Sequence, residues 1–304
     1  MSEKRAGGKR YVIHIVDVFT DKPLAGNQLA VVLDAEGIPG EVMQRIAKEM
    51  NISETVFVLA PNDPANAARV RIFTPGAELP FAGHPTVGTS WVLFTQGLIP
   101  GGALEFKLEE GVGPVAVRGE QGPGGLVFWM THPKVTFGAV VSDRAAAAAA
   151  LGLSENDLVP DVPIQTASTG VPFVFVALKD AKSVDSAVSE KARLAKVFKE
   201  GVFLFAAVGH DRLYSRMFSP HVLDIHEDPA TGSGSGPLGA FAVRYGLVNR
   251  AASVSIVSEQ GTKMGRQSFI NIRLTYAHEG DIPSSIHVGG SVVPTLTGEL
   301  AGGW

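Results

Sequence analysis

The feature that most constrains this chain is a pattern met twice, about 145 residues apart. Arg71-Ile72-Phe73-Thr74-Pro75 is echoed by Arg216-Met217-Phe218-Ser219-Pro220. In the same way Gly26 precedes an expected strand at 29–33, and Gly170 precedes one at 172–178. After each Arg-x-Phe-Ser/Thr-Pro comes a polar turn and then a run of small residues that opens a helix. That run is 81–88 in the first half and 227–233 in the second, which sets Asp228 against His84. A repeat of this length predicts two similar units that face each other. Each would bring one helix N-terminus, with free N–H groups and the positive dipole end, into the cleft between them. Clefts of this kind commonly hold small molecules, and a carboxylate suits these two helix ends. The 304 residues are enough for two domains.

Local patterns agree with a strand-rich chain. Glycine, at 35 residues, is abundant and marks many tight turns. Strands are expected at 11–19, 29–33, 55–59, 69–73, 104–108, 114–118, 125–130 and 172–178. Helices are expected at 41–50, 85–96 and, from six consecutive alanines, 142–151. His14, inside the first strand, reads as a core or sheet-face histidine. The apolar fraction of 45% supplies a buried core. A net charge of −4 gives no basic field for nucleic acid. The longest apolar runs fall far short of the ~18 residues that span a bilayer. Residues 1–10 are basic but lack the apolar segment of a signal peptide, so they read as a frayed start. The expectation is a cytoplasmic protein with neither a membrane nor a nucleic-acid partner.

The chain has no cysteine. Disulfides, thiolate metal sites and thiol nucleophiles are therefore excluded, and any chemistry uses oxygen or nitrogen groups. Glu54, in Asn51-Ile52-Ser53-Glu54-Thr55, has two readings. It completes a capping box with Asn51, or it is a general base at a helix-to-strand junction; the β-formers that follow leave no helix needing that cap. His84 either bonds a turn or handles protons at a helix N-terminus. Asp228 either caps a helix with Pro229 at its first position or joins the site. Three other patterns fail. Gly234-Ser235-Gly236-Pro237-Leu238-Gly239 matches a dinucleotide fingerprint, but Glu227–Ser233 separates it from any strand and a proline falls inside. His221, His226, Glu227 and Asp228 lack metal-ligand spacing, so no metal is expected. No Gly-x-Ser-x-Gly elbow is present.

Several of these segments together resemble the phenazine-biosynthesis PhzF family: Gly26-Asn27, Ile52-Ser53-Glu54-Thr55, Phe73-Thr74-Pro75, Glu78-Leu79-Pro80-Phe81-Ala82-Gly83-His84-Pro85-Thr86, Phe218-Ser219-Pro220, Glu227-Asp228-Pro229-Ala230-Thr231-Gly232-Ser233, Gln260-Gly261, Gly265-Arg266-Gln267-Ser268 and Val288-Gly289-Gly290. The likeness runs from about residue 11 to 300. Segments 43–51 and 215–220 are most similar to the family's isomerase of trans-2,3-dihydro-3-hydroxyanthranilate, which uses no cofactor. The resemblance implies an α+β fold of two pseudo-symmetric diaminopimelate epimerase-like domains, each a curved, mostly antiparallel sheet wrapped around a central helix. The first would comprise 1–125 plus 289–304 and the second 126–288. It also implies a homodimer and a small carboxylated ring substrate. Glu54 matches the family's acid/base, and His84 and Asp228 match its other polar catalytic residues. Gly83, Gly170, Gly232 and Ser233 fall where the family lines its substrate pocket. Related epimerases and racemases use one cysteine from each half, a mechanism this chain cannot run. Extra glycine after Ser233 is expected to loosen the start of the second helix. Two other readings are an epimerase or isomerase of a different amino-acid-like metabolite, and a non-catalytic metabolite-binding protein.

Overall fold

Alternating buried and exposed positions between glycine turns make strands over most of the chain. The computed structural model describes residues 9–122, 124–220, 226–277 and 280–304. Most of the frayed start and His221 lie outside these residues. The first half runs through β1 (Arg10–Val18), β2 (Asn27–Val32), α1 (Gly40–Met50), β3 (Glu54–Leu59), β4 (Ala68–Phe73), β5 (Glu78–Leu79), α2 (Gly83–Thr95), β6 (Glu105–Glu110), β7 (Gly113–Gly122) and β8 (Gly125–Thr131). The second runs through β9 (Thr136–Val140), α3 (Arg144–Ala150), β10 (Gln165–Ser168), β11 (Pro172–Ala177), α4 (Ala181–Ser186), α5 (Lys191–Leu194), β12 (Gly201–Ala207) and β13 (Arg212–Phe218). It continues through β14 (Glu227–Asp228), α6 (Gly232–Arg244), β15 (Ser253–Gln260), β16 (Ser268–Thr275) and a long β17 (Ser285–Ala301). No helix among the described residues is long and apolar enough to cross a membrane.

Strand partners follow the same order in both halves. β1–β2 and β3–β4 are antiparallel and β2–β3 is parallel; β4 then pairs in parallel with β6, and β6, β7 and β8 follow as an antiparallel run. β10–β11 and β12–β13 are antiparallel and β11–β12 is parallel; β13 pairs in parallel with β15, and β15, β16 and β17 follow as the antiparallel run. β17 also pairs with β8 around Met130 and Val288, then continues along β1. The first half is thereby closed into a ring, and closure removes exposed sheet edges. The result is a mixed α and β molecule with a sheet-rich, barrel-like core.

Helices α2 and α6 are buried around most of their circumference, as expected for helices without a polar face. α2 packs on β1, β2, β3, β8 and β17, and α6 packs on β10, β11, β16 and β17. Their N-termini meet. A Cβ built on Gly83 would lie 2.5 Å from the Ser233 nitrogen and 2.6 Å from the Gly232 carbonyl carbon. The glycines after Ser233 do not loosen α6. A Cβ at Gly234 would strike Phe203, and one at Gly236 would strike the His132 ring, so their absence lets the helix seat closely. The dinucleotide-like run lies wholly inside α6, where its N–H groups belong to the helix.

One part of the repeat alignment needs correction. The segment between β13 and β14, 219–226, is four residues longer than the turn at 74–77 after β4. Phe73 pairs with Glu78, and Phe218 pairs with Glu227. The counterpart of Asp228 is therefore Leu79, and that of His84, the second residue of its helix, is Ser233. Side chains confirm the register. Arg71 grips Glu78 through two 2.7 Å hydrogen bonds and lies over Phe73, while Arg216 grips Glu227 through two 2.8 Å bonds and lies over Phe218. Gly83→Ala is expected to lower stability by about 1–3 kcal/mol or more through this overpacking. Gly209→Ala, whose nearest neighbour would be 3.6 Å away, should stay within about 0.5 kcal/mol. Thermal unfolding of the two variants provides the comparison.

Candidate active site

Helix α1 ends at Asn51, whose left-handed backbone (φ 51°) turns the chain directly into β3. Glu54 is the first residue of that strand, so the capping-box reading is excluded and the carboxylate is carried to the end of the sheet. His84 occupies the first turn of α2. Asp228 sits in β14 and does not cap α6, whose N-cap is Thr231; Pro229 lies before the helix. All three side chains are buried. His84 Nε2 is 3.1 Å from Glu54 Oε2. The contact is close but off the hydrogen-bonding axis, so both atoms lack a regular hydrogen-bond partner.

Two buried amides that the motif reading gave no role hold this set together. Asn27, at the start of β2, has its Nδ2 2.7 Å from Asp228 Oδ1, 2.9 Å from the Ala230 carbonyl and 3.2 Å from His84 Nδ1. Gln260, at the end of β15, donates to the Asp228 carbonyl at 2.7 Å and accepts from the Thr231 N–H at 3.2 Å. The Thr231 hydroxyl donates to Asp228 Oδ2 at 2.6 Å. Asn27 and Gln260 both stand in motifs visible in the sequence. Asn27's role was invisible because its contacts cross to the other half, and Gln260's because its partners lie 29 and 32 residues away.

Glu54, Asp228, Thr231 and Ser233 line a cavity of about 520 Å³ between the two halves. Its walls are apolar and aromatic, with Phe81 on one side and Phe173 and Met217 on the other. No lysine or arginine is among its lining residues. His84, Gly83 and Gly232 are not among the lining residues; Gly83 and Gly232 press against each other beside Ala82, Thr231 and Ser233, which are. Gly170 is an exposed turn residue; its neighbours Val171 and Pro172, not Gly170, reach the cavity. A larger depression of about 800 Å³ opens behind Leu79 and Pro80, but none of the three site residues lines it. The described residues bring together no group of His, Asp or Glu spaced to hold a metal ion.

The electrostatics suit proton transfer. Burial pulls the His84 pKa down, but the charge of Glu54, its close contact and then the charge of Asp228 outweigh that, leaving it above the ordinary imidazole value. Burial, then the Glu54 charge, pushes the Asp228 carboxyl above the usual carboxylate range, against the opposing pull of His84, Thr231 and Asn27. A carboxylate, an imidazole and a second carboxyl are buried in one cluster, His84 and Asp228 each perturbed by the other's charge, an arrangement typical of sites that handle protons.

The family model for phenazine biosynthesis-like proteins, PhzC-PhzF, matches residues 16–298. The chain belongs to this family. It is 36% identical over 287 residues to the trans-2,3-dihydro-3-hydroxyanthranilate isomerase of Pseudomonas aeruginosa, covering 93% of this chain and 95% of that one. The crystal structure of a PhzF-family phenazine biosynthesis protein from Bacillus anthracis superposes with a TM-score of 0.87 at 28% identity, covering 96% of this chain and 99% of the other. A hydroxyproline epimerase from Agrobacterium vitis shares the fold alone, with a TM-score of 0.64 at 13% identity over 99% of this chain and 94% of the other. The protein is an isomerase of the PhzF type.

Removing the Glu54 charge should reverse the balance at His84. In Glu54→Gln the largest raising influence is gone while burial remains, so the imidazole should titrate well below its wild-type position. Histidine-selective NMR across pH reads that shift directly.

Proposed function

We propose that this isomerase works without a cofactor, moving a proton within a small carboxylated ring such as trans-2,3-dihydro-3-hydroxyanthranilate, with Glu54 as its single acid/base. The observation that carries this reading is the unequal pair at the mouths of β3 and β12. Thr55 pairs with Phe73 as Val202 pairs with Phe218, so Glu54 and Gly201 occupy matching positions on the two sides of the cavity. One side presents a carboxylate. The other presents a glycine backed by Phe173 and Met217. A base on one side alone suits a proton that leaves and returns on the same face of the ring.

In this reading Glu54 takes the proton from carbon 3 and returns it to carbon 1, and the enol so formed tautomerises to a ketone. His84 and Asp228 hold the amine, hydroxyl and carboxylate of the ring and tune the transfer. Without a cationic side chain among the described lining residues, the carboxylate is left to the first N–H groups of α2 and α6, whose openings at Ala82 and at Thr231 and Ser233 border this cleft. The aromatic walls exclude water and orient the ring, supplying rate beyond the ~10²–10⁴-fold of one positioned acid/base. Each half of the repeat is proposed to be one pseudo-symmetric domain with a sheet around its own helix. They comprise residues 1–125 with 289–304, and 126–288, with β8 and β17 as the seam.

The test is proton NMR in D₂O with trans-2,3-dihydro-3-hydroxyanthranilate. Turnover should occur, and Glu54→Gln should lower it by ~10²–10⁴-fold while leaving the fold intact. Wild-type turnover undiminished by that substitution would remove Glu54 from the role. Tight binding with neither turnover nor exchange would favour a non-catalytic binding protein.

A further inference from the structure

Glu110, the last residue of β6, is a buried acid that the reaction above does not use. Its Oε1 lies 2.6 Å from the Thr86 hydroxyl, and that hydroxyl lies 2.8 Å from the Ala82 carbonyl. Glu110 Oε2 is buried without a hydrogen-bond partner. Thr86 has one hydroxyl proton and faces two acceptors. Both of these contacts are hydrogen bonds at once when the carboxyl carries a proton on Oε1, donates it to Thr86 Oγ1, and Thr86 donates onward to Ala82.

The other half supplies an independent argument. Ala68 pairs with Leu108 as Leu213 pairs with Ser258, so Glu110 matches Gln260. Gln260 accepts from the N–H of Thr231, the N-cap of α6. Glu110 reaches Ala82, the N-cap of α2. A protonated carboxyl has the shape and neutrality of the glutamine amide at the matching site.

We propose that Glu110 is a neutral carboxylic acid that braces the first turn of α2, the turn carrying Gly83 and His84, as the Gln260 amide braces α6. It is a positioning residue acting through Thr86 and Ala82, and its ionisation loosens that turn at high pH. The inference depends on the isomerase reading only in taking that turn as substrate-facing.

The surrounding charges are engaged elsewhere. Arg71 on β4 is held by Glu78 on β5, and Arg69 lies 3.9 Å from Glu36. Glu109 on the same strand accepts from the N–H groups of Asn62 and Asp63 and the Asn66 amide. The Asp63 carboxylate turns back to accept from the Ala65 N–H. Burial pushes the Glu110 carboxyl up to about 8, against the Thr86 hydroxyl and the Ala82 N–H, which favour the ion. The sign follows. An unfolded chain loses this proton near 4.5 and the folded chain near 8, so the stability it contributes is complete below 4.5 and is lost as pH rises to 8.

Three measurements on the full chain test this. A carboxylic-acid carbonyl band in the infrared spectrum should persist at pH 7, vanish by pH 10, and be missing from Glu110→Gln. The folding equilibrium of wild type should weaken by up to about tenfold per pH unit relative to Glu110→Gln between pH 5 and 8. Glu110→Ala should lower turnover of the substrate above at least tenfold, and Glu110→Gln should restore most of it and remove the decline near pH 8. No acid band at pH 7, or identical pH slopes for wild type and Glu110→Gln, overturns the proposal. Neither readout depends on the identity of the substrate. Loss of the acid band and slope in Glu110→Gln, without any turnover by wild type, would instead keep the brace and sink the isomerase reading.

Discussion

The backbone contact between Gly83 and Gly232 governs the rest of the molecule. Two helix ends can meet this closely only where neither has a side chain, because any Cβ there would sit inside van der Waals distance of the opposing backbone. The contact sets the distance between the halves and turns two sets of first-turn N–H groups into one cleft. It also sets His84 and Ser233, the next residue of each helix, on the two sides of that contact. Overpacking elsewhere in a core is absorbed by side-chain shifts. Here backbone meets backbone, and nothing on either side can yield cheaply.

Around that shared geometry the two halves diverge in chemistry. Both keep the Arg–Glu clamp under a phenylalanine, and both keep a side chain that reaches from the last strand residue to the helix cap. The differences concentrate at the cleft. Glu54 faces Gly201, His84 faces Ser233, and Asp228 takes the place of Leu79. Repetition supplied the scaffold, and asymmetry at a few positions supplied the buried cluster of titratable groups. The buried carboxyl of Asp228 is costly, and Asn27 and Thr231 offset that cost by hydrogen bonds to its two oxygens, with Gln260 holding the Asp228 and Thr231 backbone.

Much of this was legible in the sequence because it is written locally. Strand alternation, glycine turns and the small-residue helix openings placed most of the expected elements within two residues, although β9, β10, β12 and β15–β17 received no range, and the duplicated Arg-x-Phe motif marked the repeat. The three polar site residues stood in those same motifs. What escaped was anything decided by distance along the chain. The longer turn at 219–226 shifted the register, so Asp228 could be aligned with His84 although the strand pairs set it against Leu79. Asn27 and Glu110 carry no local signature, since their meaning lies in partners about 200 and 24 positions away. The glycines of α6 looked like weak points until Phe203 and His132 were seen to fill the space they leave.

The path of β17 also bears on how the protein reaches this state. Arg10 pairs with Ala301 and Val18 with Val292, so β1, paired on one edge with β2, finds the partner for its other edge only in β17. The amino-terminal half cannot complete its ring while the chain is still emerging from the ribosome. The second half must form around a seam that its predecessor leaves open. Contacts this distant in sequence are slow to form and leave strand edges unprotected meanwhile. The architecture that gives one shared cleft thus makes the birth of the molecule its most aggregation-exposed moment.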